Sequence, residues 1–344
     1  MASSTSLPLL HPELLAASQL LSLPRIQFVP RPGNVLHSLP AALGEGVLGL
    51  NLARGCFHHC GFCSARAYPG SPEGAVLVLE DLPRKVEEEL NSGPRPRAVF
   101  LSPSTDPFPP SNEIQQATLD VVRVLATQGV EAWLMTRGLI RPWILEGLLA
   151  CRDWLRVTIP LTTVDRQVQR ALEPLTASPS LRLRQMARLR KAGVPVHAAV
   201  DPLIPGITDT RAALAPLFQA LAERGITQVA VSYLFLREGV AANVQRELGP
   251  LGLDQTILRA FRGGPVLESP GMAAARFLPR TYRQRGYALA MALGAQVGIE
   301  VQVSRLTNPD FSSPRRVEDA STPRPSLVSL FLQAARKGKR NEER

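Results

Sequence analysis

Six times between residues 47 and 235 a short apolar run bounded by turn residues gives way to a segment with helical spacing, and this alternation restricts the fold more than any other feature of the chain. The runs are Val47 to Ala53, Ala98 to Ser102, Val130 to Thr136, Leu155 to Leu161, Pro195 to Val200 and Gln228 to Phe235. Between them lie helix-period segments: Leu79 to Leu90; Ser111, a cap residue, through Gln128; Pro142 to Ala150; a stretch from Asp165 and another from Pro179 to Ala192; and Thr210 to Arg224. Strands separated by helices of this length imply a parallel sheet covered by helices. Six units are too few for the eight-fold barrel and enough for a partial one, so the expected class is α/β, a partial (β/α)6 TIM-type barrel over residues 46–236. In such folds the loops after the strands' C-terminal ends build the active site. The unusual residues sit where that rule requires: three cysteines after the first strand, Thr105 and Asp106 after the second, Arg137 after the third, and Asp201, Pro202, Pro205 and Gly206 after the fifth.

The rest of the chain lacks the rhythm. Residues 1–45 read as an N-terminal extension, and residues 237–311 as an accessory segment with helical stretches near 241–262 and 281–296 and a possible strand from Glu300 to Ser304. Residues 312–344 carry eight Lys or Arg against four Asp or Glu, with three prolines, and read as a basic, largely disordered tail. With 45% hydrophobic residues among 344, the chain can bury a substantial core, which excludes a wholly disordered protein. The longest apolar stretch, Tyr287 to Ile299, is shorter than the roughly 18 residues a membrane helix needs. The first residues lack the basic region of a secretory signal, so a cytoplasmic location is expected. A formal charge of +10 favours polyanionic partners such as nucleic acid. Only four of the basic residues are lysines, however, and an arginine-rich composition also arises from genome composition or heat adaptation.

Cys56, Cys60 and Cys63 form a Cys-x3-Cys-x2-Cys cluster with Phe62 before its last member. Four cysteines in a chain of this length are too few for a disulfide scaffold. Three thiolates can hold three irons of a 4Fe-4S cubane and leave the fourth iron open for chemistry. The competing reading is a zinc-binding, non-catalytic module built from these thiols plus His58 or His59. In the cluster reading both histidines are exposed loop residues. Cys151, at a helix end, reads as a buried small hydrophobe.

The compact cluster after a first barrel strand resembles the signature of the radical S-adenosylmethionine superfamily. Within it the segments RGCFHHCGFCSAR, LSPSTDPFPPSNE, LMTRGLI and VDPLIPGITD resemble the spore photoproduct lyase or DNA repair photolyase-like branch, across roughly residues 47 to 210. The resemblance implies an enzyme that uses a 4Fe-4S cluster on Cys56, Cys60 and Cys63 to cleave S-adenosyl-L-methionine into methionine and a 5′-deoxyadenosyl radical. The implied substrate is a nucleic acid or nucleotide, as in DNA repair by a lyase, with a protein or small molecule as the alternative. It also implies a flavodoxin- or ferredoxin-type electron donor. Carried over by position, Phe62 lies near the adenine, Thr105 and Asp106 correspond to a Ser/Thr-Asp at the second strand, Arg137 stands for a basic residue on the cofactor carboxylate, and Thr158 for a hydroxyl near the cofactor. Thr158 read alone is an ordinary β-branched strand residue. Two positions depart from spore photoproduct lyase: Pro103 stands where it has a hydrogen-returning cysteine, and Ser64 where a tyrosine follows the third cluster cysteine. No catalytic residue beyond the cofactor ligands is assigned.

Two weaker features remain. Arg182, Arg184, Arg188, Arg190 and Lys191 read as a basic helix, and Arg276, Arg280, Arg283 and Arg285 interleave with Phe277, Tyr282 and Tyr287; both suit a nucleic-acid backbone or a solvated face. In the tail, Leu327, Leu330 and Phe331 resemble the short peptide by which bacterial repair proteins bind the sliding clamp, with Leu327 in place of the leading glutamine. The alternative is a short amphipathic helix, Leu327 to Lys337, capped by Ser326 and packed on the chain itself.

Overall fold

The computed structural model describes residues 24–311 apart from 41–42, 68–70, 73, 270–271 and 305–306. The clamp-like stretch at 325–331 and the alternative helix at 327–337 lie outside the described residues. In chain order the strands are β1 (Arg25–Val29), β2 (His37–Ser38), β3 (Val47–Leu50), β4 (Ala53–Arg54), β5 (Ala75–Leu79), β6 (Ala98–Leu101), β7 (Glu131–Met135), β8 (Leu155–Pro160), β9 (Val196–Leu203), β10 (Gln228–Tyr233), β11 (Val266–Ser269), β12 (Met272–Arg276) and β13 (Glu300–Val303). The helices are α1 (Leu82–Ser92), α2 (Asn112–Thr127), α3 (Pro142–Leu149), α4 (Arg166–Leu172), α5 (Pro179–Lys191), α6 (Arg211–Ala222), α7 (Val240–Leu248), α8 (Asp254–Ala260) and α9 (Arg280–Gln296).

The main sheet runs β13-β10-β9-β8-β7-β6-β3-β2, and every neighbouring pair is parallel except β2 with β3. The six expected barrel strands are therefore all present and adjacent in chain order. Their sequences fit a sheet covered on both faces: all six residues of β8 are buried, as are Ala98, Val99 and Leu101 of β6. Helix starts follow the cap chemistry. Ser111 Oγ accepts from the Ile114 amide, Asp165 from those of Gln167 and Val168, Ser178 from Leu181 and Thr210 from Ala213.

Three local differences from the sequence reading have physical causes. The first strand ends at Leu50 rather than Ala53, because the chain turns away and Ala53–Arg54 pairs instead with β5 in a separate sheet of order β1-β5-β4. The segment beginning at Leu79 becomes helix only at Leu82, since Ala75–Leu79 is taken by that sheet and Asp81 sits in the left-handed region at φ 55°. The accessory segment also supplies β13, a seventh parallel strand docked on β10.

Candidate active site

The cysteine loop leaves β3 and is pinned from several sides. Gly55, at φ +82°, precedes the first cysteine, and a Cβ there would meet the Ala75 carbonyl oxygen at 2.9 Å. His59 takes a left-handed φ of 51° and turns the chain between the first two cysteines. The Gly61 amide donates to the Leu172 carbonyl at 3.0 Å, the Cys63 amide to Cys60 at 3.1 Å, and Asn243 of α7 donates to the Cys63 carbonyl at 3.2 Å. Arg66 pairs with Glu247 at 2.9 Å, so the accessory segment braces the loop. Burial pushes the Cys56 and Cys60 thiols up; Cys63 and Asp106 add to the effect on Cys56, and Glu173 and Cys63 to that on Cys60.

Asp106, expected among the cofactor ligands, is fully engaged with the protein. Its Oδ1 accepts from Thr136 Oγ1 at 2.7 Å and the Phe108 amide at 2.8 Å, and its Oδ2 accepts from the Arg137 amide at 2.7 Å. His58 Nδ1 lies 3.3 Å from Oδ2. Burial works to raise this carboxyl, but His58, Thr136 and the Arg137 amide hold it below the usual carboxylate range. His58 is thus buried, not the exposed loop residue its position implied.

Arg137 closes β7 and turns its guanidinium over the loop. Nε donates to Glu173 Oε1 at 3.0 Å, Nη2 to the Asp201 carbonyl at 2.6 Å, and the guanidinium carbon stands 5.8 Å from the centre of the Phe62 ring. Despite burial, the nearby carboxylate of Glu173, with Asp201 adding to it, keeps it strongly cationic. Glu173 also accepts from Thr162 Oγ1 at 2.7 Å and pairs with Arg182, which donates further to the Ala177 and Pro160 carbonyls. Arg182 is therefore a buried ion-pair partner and not part of a solvated basic face, and the same holds for Arg283, which is buried against Asp310 and Asn308. Thr158 lies on β8 beside Thr136, whose amide donates to the Thr158 carbonyl at 3.1 Å.

The sequence-derived set, Cys56, Cys60, Phe62, Cys63, Thr105, Asp106, Arg137 and Thr158, thus gathers at the C-terminal ends of β3, β6, β7 and β8. Glu173 and Thr136 went unmarked in the sequence; the one available signal was a single acid in an otherwise neutral stretch from Ala171 to Leu181. Among the described residues no three His, Cys, Asp or Glu side chains are arranged to hold one metal ion, and the Nδ1 side of His58 faces Asp106. A cubane, whose irons each take one thiolate, does not need the thiols to share a single point. The buried hydroxyl oxygens of Ser102, Thr105 and Thr158 have no hydrogen-bond partner, which is the mark of polar groups waiting for a ligand. The donor set fits a bound iron-sulfur cluster and an amino-acid cofactor.

Residues 50–215 match the model of the Radical SAM superfamily. An uncharacterized protein of Mycobacterium tuberculosis strain H37Rv is 30% identical over 201 residues, covering 55% of this chain and 58% of the relative. A Radical SAM Nalpha-GlyT isomerase of Pseudomonas phage M6 is 25% identical over 183 residues, covering 52% of this chain and 37% of that protein. The chain therefore spans less than two thirds of these curated relatives. Among solved structures, spore photoproduct lyase complexed with dinucleoside spore photoproduct superposes with a TM-score of 0.62 at 16% identity, over 81% of this chain and 82% of that one. A double mutant of the same lyase with bound AdoMet and dinucleoside spore photoproduct gives 0.63 at 14% identity, over 88% and 86%. These two likenesses are of fold. No helix among the described residues is long and apolar enough to cross a membrane.

Proposed function

We propose that this chain, which belongs to the radical SAM superfamily and shares the fold of spore photoproduct lyase, binds a 4Fe-4S cluster on Cys56, Cys60 and Cys63 together with S-adenosylmethionine, and acts on a nucleic acid or nucleotide. When bound, the pair supplies one-electron cleavage of the cofactor and a 5′-deoxyadenosyl radical that abstracts hydrogen. Arg137 holds the cofactor carboxylate, for which a planar guanidinium is suited. Phe62, under that guanidinium, offers the adenine a face, and the unpartnered hydroxyls of Thr105 and Thr158 serve its polar groups. Asp106 spends both oxygens on the protein and acts by positioning Arg137 and Thr136. The buried loop excludes water from the reacting atoms. An external flavodoxin- or ferredoxin-type protein supplies the electron.

The observation that carries this reading is a loop of three thiols, Cys60 buried and Cys56 and Cys63 half-buried, with Arg137 over its Phe62 and unpartnered hydroxyls at the neighbouring strand ends. The substrate class rests on the net charge of +10 and on the relatives' names. Because Pro103 and Ser64 replace hydrogen-returning groups of spore photoproduct lyase, repair of that lesion is expected to be slow or to release side products. The test is anaerobic reconstitution: brown protein with about four irons, releasing 5′-deoxyadenosine on reduction, with both properties lost in Cys60→Ala. A colourless protein holding one zinc refutes it. Transfer of deuterium from labelled DNA into 5′-deoxyadenosine tests the substrate class, and transfer from a labelled peptide alone refutes it.

A further inference from the structure

Beside the cysteine loop, and lined by none of Thr105, Arg137 or Thr158, lies an open cleft of about 440 Å3. His58 is among its lining residues, and the Nε2 of that buried ring has no hydrogen-bond partner. Arg141, Arg166 and Arg170 line it, and no acidic residue does. None of the three is in a salt bridge among the described residues, although Arg141 helps, after the Glu113 backbone amide and Ser111, to hold the Glu113 carboxyl below its usual range. The buried Nε of Arg141 lacks a partner as well. Helix α5 starts at the cleft wall through Ser178, adding the positive end of its dipole. Leu139, in the lining, is 44% exposed, and the Arg141 guanidinium sits 5.3 Å from the centre of the ring of Trp143, which lies outside the lining and is 49% exposed.

Uncompensated arginines in a concave track suit phosphates, and an exposed indole held by an arginine is a ready stacking platform for an unpaired base. The volume is that of a site for a nucleotide-sized unit. We propose that this cleft seats a single nucleic-acid strand, with Arg141, Arg166 and Arg170 on its phosphates and Trp143 stacked on a base, so that the strand passes alongside the cysteine loop. The proposal rests on the nucleic-acid reading above and adds to it the place and mode of binding. A folded acidic protein such as the electron donor fits less well, because a concave cleft of this size admits a strand and not a convex surface.

The experiment is fluorescence anisotropy of a short labelled single-stranded oligonucleotide with the full reconstituted protein, across a series of NaCl concentrations. Wild type is expected to bind with strong salt dependence. Arg141→Gln/Arg166→Gln/Arg170→Gln is expected to weaken binding at least tenfold and to lower the log–log salt slope by about two, at roughly 0.7 per single-strand phosphate contact. Trp143→Ala should cost about tenfold with the slope unchanged, as loss of one stacked base requires. Arg→Lys at the three sites keeps the charge and should keep most of the slope, and equal melting temperatures exclude misfolding as the cause. If the triple Gln variant binds like wild type, the cleft assignment is wrong while the nucleic-acid reading stands. If wild type binds no oligonucleotide, that reading falls and takes the cleft with it. Displacement of the strand by an equivalent concentration of mononucleotide assigns the cleft to free nucleotides and overturns the strand. Intact oligonucleotide binding with lost reduction by flavodoxin makes it a donor dock and overturns it as well.

Discussion

Glu173 is the point at which the energetics of the barrel mouth can be measured. Its carboxylate and Arg182 are essentially inaccessible, and Arg137 is 20% exposed at the side chain, so one anion compensates two cations away from water. Burial alone would raise this carboxyl, yet Arg182 and Arg137 hold it below the ordinary range, so the group is ionised in the folded state. Removing it in Glu173→Ala strands Arg182 with carbonyl partners and no counter-charge, and breaking a buried pair in this way costs about 3–5 kcal/mol. At about 2 °C per kcal/mol for a chain of this size, the melting temperature should fall by roughly 6–10 °C. Three charged hydrogen bonds at about 1.5–3 kcal/mol each give a larger figure, but part of that gain offsets the desolvation of all three ions and does not appear as net stability. Glu173→Gln keeps the acceptor for Arg137 but can set an amide donor against Arg182, so it should recover only part of the loss. Glu173→Leu with Arg182→Met removes the desolvation of those two ions but leaves Arg137 with the Asp201 carbonyl alone, so it should recover part of the loss and lie closer to wild type than the single alanine change. Denaturant unfolding of the metal-free protein, with wild type and the three variants compared, reads these differences without interference from the cluster. An alanine variant within about 1 kcal/mol of wild type, or a double variant no better than the single one, would refute the reasoning.

Two further outcomes follow from the same geometry. Glu131 grips Arg156 on the neighbouring strand through two bonds of 2.9 and 2.7 Å and accepts from the Trp133 indole at 3.0 Å; burial opposes its ionisation, but Arg156 and Trp133 hold its pKa below the usual value. Its stabilisation is therefore present above the ordinary glutamate range and lost as pH falls through the lowered pKa, so Glu131→Gln should cost about 2 kcal/mol at neutral pH and progressively less in acid, as read by unfolding at a series of pH values; a pH-independent loss would contradict this. In Gly61→Ala the new Cβ would meet Leu248 Cδ2 at 2.7 Å, between two cluster cysteines. The overpacking should cost about 1–3 kcal/mol and reduce iron bound on reconstitution, with Leu248→Ala, which opens its own cavity, recovering the iron and not the stability; no recovery of iron by the second change would place the damage elsewhere.

The parallel strands were legible because each is a mainly apolar run, with only single polar residues such as Glu131, Arg156 and His197 inside it, as a sheet covered on both faces requires. The same pattern put the cysteines, Thr105, Asp106 and Arg137 after strand ends. The β1-β5-β4 sheet was not legible: β4 is two residues long, and β1 alternates so weakly that Phe28 points to solvent at 54% exposure. Adjacent identical residues defeat sequence reading in another way. His58 and His59 are indistinguishable by type, and the left-handed turn at His59 sets the course of the chain that leaves His58 buried against Asp106. Arg182 and Arg184 differ likewise only by which face of α5 meets Glu173, a residue nine positions upstream whose loop path is set by tertiary contacts.

What holds the site in shape is a line of polar contacts that crosses the strand ends in order. Asp106 joins the loop after β3, through His58, to its own loop after β6, through Phe108, and to the end of β7, through Thr136 and Arg137. Arg137 continues it to Glu173 beyond β8 and to the Asp201 carbonyl on β9, and the Asp201 side chain accepts from Ser232 on β10. A closed eight-stranded barrel fixes its mouth by sheet hydrogen bonds all the way round, which an open sheet cannot do. Here side chains do at the mouth what strand pairing does not, and each link is buried enough that its loss leaves a polar or charged group without compensation. Thiols and hydroxyls carried on loops laced in this way are held in position before any ligand arrives, so the cost of ordering them is met in folding and not in binding.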